Sequence, residues 1–83
     1  MSDRTAMLIE TKPDYAKSVL QDLRGKAYVI SADIVLGWTY NIVALASIES
    51  LEELKERQDE TKKIDGISSI TTLPSLTIKN GFK

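Results

Sequence analysis

The chain has 83 residues, enough for one domain and too few for a second core. Its 11 Lys and Arg nearly balance its 12 Asp and Glu, leaving a net charge of -1 and no basic stripe to neutralise a run of phosphates. It has neither Cys nor His, which removes disulfides, thiolate metal centres, cysteine nucleophiles and the commonest general base and metal ligand. These features argue against an enzyme, against direct binding to nucleic acid and for a protein that works without a cofactor. Met1 to Thr5 has no signal-peptide layout. The most apolar region, Ala27 to Ile48, is interrupted by Ser31, Asp33, Gly37, Thr39 and Asn41, well short of the roughly 18 apolar residues of a membrane span. A cytoplasmic protein without membrane contact is expected.

Ala6 to Thr11 reads as a first strand that stops before Lys12-Pro13. Pro13 suits the first turn of a helix, where its missing N–H costs nothing. Ala16, Val19, Leu20 and Leu23 recur at helical spacing within Asp14 to Arg24, and Gly25 is placed for a left-handed C-terminal cap. Two runs rich in Val, Ile and Tyr follow, Ala27 to Leu36 and Tyr40 to Ile48, joined through Gly37-Trp38-Thr39 as a β-hairpin. In the first run Tyr28, Ile30, Ile34 and Leu36 are expected on one side and Val29 and Val35 on the other. In the second, Ile42, Ala44, Ala46 and Ile48 oppose Val43 and Leu45.

Ser50 and Glu53 form a capping box, with the Glu53 side chain expected to reach the Ser50 backbone. The helix it opens runs from Leu51 to about Lys63, with Leu51, Leu54, Gln58, Thr61 and Ile64 inward and Glu52, Glu56, Arg57, Asp59, Glu60 and Lys62 outward. Asp65-Gly66 ends it. Ile67 to Leu73 is a weaker strand, which either ends at Pro74 or lies on an edge. The expected organisation is a single domain over 1–83, with its core in 6–73 and a tail over 74–83.

The order β-α-β-β-α-β predicts an α+β fold of the ferredoxin-like kind, an antiparallel sheet with both helices on one face. Two short helices cover one face only, yet the hairpin is apolar on both. Leaving each Val, Ile or Leu of the second face in water would cost roughly 1.5–3 kcal/mol. A second copy packed sheet to sheet removes that cost, so a dimer is expected.

Chemistry concentrates in two places. The hairpin link Leu36-Gly37-Trp38-Thr39-Tyr40-Asn41 holds the sole Trp and a Gly that permits close backbone approach. Its main-chain N–H, hydroxyl and amide groups suit a small zwitterion, or its aromatics simply pack at the sheet edge. Ser68, Ser69, Thr71 and Thr72 form a second polar group, equally compatible with plain strand packing. Asp33 is either an acid–base group or a charge at the sheet rim. No phosphate-binding glycine motif, calcium loop or nucleophile elbow is present.

The span Ala6 to Leu73 resembles the effector-binding RAM domain of the Lrp/AsnC transcription regulators. The resemblance rests on the element order, on Gly37-Trp38-Thr39-Tyr40-Asn41 at the hairpin loop, on Ser50-Leu51-Glu52-Glu53-Leu54, on Ile64-Asp65-Gly66-Ile67 and on Thr71-Thr72. It implies a dimeric α+β barrel, dimers assembled into an octamer or similar ring, and an amino acid bound between dimers. Carried over by position, the ligand-binding residues are Gly37, Trp38, Thr39, Tyr40, Asn41, Ser69, Thr71 and Thr72, with no metal. Asn41 stands where the family carries an Asp that pairs with the ligand's ammonium group. Five residues precede the first strand, so the chain resembles the stand-alone form, and an effect on transcription would run through full-length Lrp/AsnC partners. Two other readings fit the same topology: a small α+β barrel enzyme working through Asp33 and the tyrosines, and an assembly module without a ligand.

Overall fold

The computed structural model describes residues 3–36 and 39–74. Six elements follow one another as β1 (Asp3–Thr11), α1 (Ala16–Arg24), β2 (Val29–Ile34), β3 (Ile42–Ile48), α2 (Leu51–Lys62) and β4 (Ile67–Pro74). The strands form one sheet in the order β2-β3-β1-β4, and every pairing is antiparallel. This is the ferredoxin-like arrangement expected from the sequence. Gly37, Trp38 and the tail after Pro74 lie outside the described residues.

Alternation along the central strands sorts side chains between two faces. Thr5, Met7, Ile9 and Thr11 of β1 and Ile42, Ala44, Ala46 and Ile48 of β3 are buried under the helices. Val19 and Leu23 of α1 and Ile64 after α2 complete this core, with Leu54 packed against it. Among the described residues no helix covers the opposite face. There Leu8 pairs with Val43, and Ala6 pairs with Leu45 on one side and Leu73 on the other, an aliphatic strip across three strands. Thr61 sits in the core without exposure because its hydroxyl donates to the Arg57 carbonyl (2.6 Å) and meets the Tyr28 hydroxyl (2.8 Å). The Arg57 guanidinium lies over the Tyr28 ring, 5.1 Å from its centroid, and is held there by Glu53 and Glu60.

Several local expectations are corrected. Helix α1 begins at Ala16, two residues later than expected, because Asp14 takes a positive φ of 70° and cannot continue a right-handed turn. Gly25 ends α1 in a right-handed conformation, with its N–H bonded to the Gln21 and Asp22 carbonyls, so no left-handed cap is needed. Among the described residues the positive-φ glycine is Gly66 instead. In β2 the register slips between Val29 and Ser31, leaving Ile30 as a bulge. Of Tyr28, Ile30, Ile34 and Leu36, Tyr28 is buried and the other three are exposed, Ile34 at the rim of the helix-covered face beside Ile42. Leu51 is also exposed, since it precedes the stretch of α2 that reaches the core. Ser50 caps α2 through the Glu53 N–H as expected, but the Glu53 carboxylate accepts from the Glu49 N–H (2.6 Å) rather than from Ser50.

Candidate functional site

The C-terminal end of β1 brings parts of both sequence-predicted polar groups together. On one side Asn41 is bound to Thr11. Its Oδ1 accepts from the Thr11 N–H (3.0 Å), and its Nδ2 donates to the Thr11 hydroxyl (2.8 Å). The Asn41 main chain adds a donation to the Ile9 carbonyl and an acceptance from the Val35 N–H, both at 2.9 Å. These four bonds seat the start of β3 between β1 and β2.

On the other side β4 bulges at Ser68, where Glu10 pairs with Ser69 and Thr11 with Ile67. The Ser68 hydroxyl donates to the Glu10 carbonyl and the Ser69 hydroxyl to the Glu10 carboxylate, each at 3.1 Å. Thr71 pairs with Leu8 and so lies on the same uncovered face as Glu10 and Ser69. Thr72 pairs with Met7 and belongs to the face under the helices. Thr39 is exposed and Tyr40 half-buried, leading into Asn41.

Glu10 is the residue that sequence reasoning missed. Its signal was present, since Ala6, Leu8 and Glu10 alternate outward along β1, but its partner Ser69 lies 59 positions away. The resulting end offers one carboxylate with hydroxyl groups beside it, a donor and acceptor set suited to an ammonium group. The Asn41 carboxamide is already engaged by Thr11. Asp33, the acid–base residue of the enzyme reading, is exposed over 74% of its side chain and paired with Arg24 at 3.4 Å. Among the described residues no group of His, Cys, Asp and Glu is placed to hold a metal ion. Nor is any helix among them long and apolar enough to cross a membrane.

Surface grooves open elsewhere. One lies between the C-terminal ends of the helices, bordered by Asp22, Lys26, Glu60 and Asp65. Another lies beside Tyr28 and Arg57, bordered by Ser47, Glu49 and Glu53. Burial is the main cause that raises the Tyr28 phenol above its ordinary range, and Glu60 adds to it. The Thr61 hydroxyl and the Arg57 charge pull the other way.

No protein-family model matches the sequence, and no curated protein matches it either. Solved structures do. E. coli AsnC superposes with a TM-score of 0.82 at 25% identity, covering 89% of this chain and 50% of its own. FFRP-DM1 superposes with a TM-score of 0.82 at 20% identity, covering 89% of this chain and 99% of its own. The transcriptional regulator NMB0573 of Neisseria meningitidis, solved as a complex with L-Met, gives a TM-score of 0.78 at 13% identity, covering 89% of this chain and 49% of its own. The chain thus spans about half the length of the two regulators and nearly all of FFRP-DM1. The chain shares its fold with AsnC and FFRP-DM1.

Proposed function

We propose that this chain is an effector-sensing regulatory domain. It pairs with a second copy through the uncovered sheet face, binds a small effector, an amino acid, at a subunit boundary, and acts on transcription through partner regulators. One observation carries the reading: the polar end built from Glu10 and Ser69 continues the aliphatic strip of Leu8, Val43 and Leu45 on the same face. A second sheet laid on that strip buries it and brings a subunit boundary to the polar end. The likeness to AsnC and to a regulator solved with L-Met supports the ligand class.

In this reading the ligand's ammonium group meets Glu10 and the hydroxyls of Ser69 and Thr71. Thr39, Tyr40 and the preceding Gly37-Trp38 serve the rest of the molecule, and Asn41 fixes the strand that carries them. The ligand acts by differential affinity, favouring the assembly whose boundary it fills. Larger rings, up to an octamer, extend the same principle.

Trp38 is the sole Trp and lies in the nominated loop, so its fluorescence reports binding directly. Titration with each of the twenty amino acids is expected to give a saturable change with one or a few. A flat response across the panel overturns the effector role.

A further inference from the structure

Among the described residues β2 is one edge of the sheet. The Val35 N–H donates to the Asn41 carbonyl. By antiparallel alternation, Ser31, Asp33 and Val35 therefore turn their main-chain groups toward β3, and Ala32 and Ile34 turn theirs away from the sheet. An edge of this kind, flanked by the exposed Ile30, Ile34 and Leu36, is a template for strand addition. Yet its central acceptor is taken. Arg24, the last residue of α1, donates to the Ala32 carbonyl from both Nε (3.1 Å) and Nη2 (2.8 Å), and its Nη2 also reaches the Asp33 carboxylate (3.4 Å).

We infer that the β2 edge is a second self-association surface that Arg24 holds closed. The partner it fits is β2 of another copy. Antiparallel pairing about Ala32 sets Ile30 of each copy across from Ile34 of the other, and Ser31 across from Asp33. This register is self-complementary, joins apolar to apolar, and never opposes two Asp33 charges. It needs the Ala32 carbonyl that the guanidinium occupies, so pairing and the Arg24 contact exclude each other. The surface is distinct from the uncovered sheet face and does not depend on the effector reading.

Arg24→Met tests the inference, because it keeps the aliphatic stem and helix propensity while removing every donor. In sedimentation velocity Arg24→Met is expected to add a concentration-dependent species of about twice the wild-type mass. Arg24→Met combined with Ile30→Lys is expected to return to the wild-type mass, since an edge Lys opposes strand pairing. Circular dichroism confirms that each variant is folded. An Arg24→Met protein with wild-type mass at every concentration overturns the inference, as does a heavier species that survives Ile30→Lys. Hydrogen exchange gives a check that needs no variant. In the wild type the Ala32 and Ile34 amides are expected to exchange rapidly at all concentrations, and protection that grows with concentration overturns the closed edge.

Discussion

The carboxamide of Asn41 is bound at both ends by Thr11, accepting from its N–H at 3.0 Å and donating to its hydroxyl at 2.8 Å. A residue that the family resemblance nominates for ligand contact is therefore also a clasp between β1 and the start of β3. Asn41→Ala leaves the Thr11 N–H without its partner and is expected to cost about 1–3 kcal/mol in chemical denaturation. Asn41→Asp keeps an acceptor for that N–H, and the Thr11 hydroxyl can turn to donate, so its cost is expected to stay below about 1 kcal/mol. Equal losses for the two variants would contradict the clasp.

Gly66 packs against Tyr15 with a φ of +101°, and an added Cβ would lie 2.6 Å from the Tyr15 Cβ and Cγ. Backbone strain and collision act together, so Gly66→Ala is expected to lower stability by roughly 1–3 kcal/mol. Adding Tyr15→Ala removes the collision with the ring but leaves the Cβ contact and the strain. The double variant should recover part of the loss, and the denaturation midpoints measure how much.

Tyr28 should give the domain an alkaline limit. Burial raises its folded pKa above the unfolded value near 10, so the protonated phenol is favoured in the folded state. That stabilisation is complete below the unfolded pKa and is lost as pH rises through the folded one. Wild-type stability is expected to fall more steeply above about pH 10 than that of Tyr28→Phe, which has no phenol to ionise. Parallel pH profiles for the two proteins would contradict the assignment.

The order of elements and the two-faced alternation of β3 were legible in the sequence, because they rest on local signals. The alternation of Ile42, Ala44, Ala46 and Ile48 against Val43 and Leu45 matches the burial of β3 residue for residue. What was not legible depends on how strands meet. The bulge at Ile30 is a property of the β2–β3 register. The exposure of Leu51 depends on where α2 touches the core. The Glu10–Ser69 contact joins the first strand to the last across 59 positions, and no local pattern specifies it. Asn41 was legible as a polar residue in the right loop, but its partner Thr11 is 30 positions away.

Leu45 lies at the middle of the uncovered strip, paired with Ala6 of β1 and Ser31 of β2. Leu45→Lys is expected to leave the fold intact, because the side chain points away from the helix-covered core. In a two-fold interface each copy contributes the same substitution, so a loss of about 1.4 kcal/mol per side weakens dimerisation by roughly a hundredfold. Sedimentation equilibrium reads the shift toward monomer. An unchanged mass would place the subunit boundary elsewhere.

Assembly and effector binding are joined in the proposed role, and native mass spectrometry of the wild-type protein with each amino acid tests both at once. The expected result is an even-numbered assembly that carries one or a few amino acids in whole-number stoichiometry, with Glu10→Gln retaining the assembly and losing the ligand. A monomer without ligand across the whole panel would contradict it.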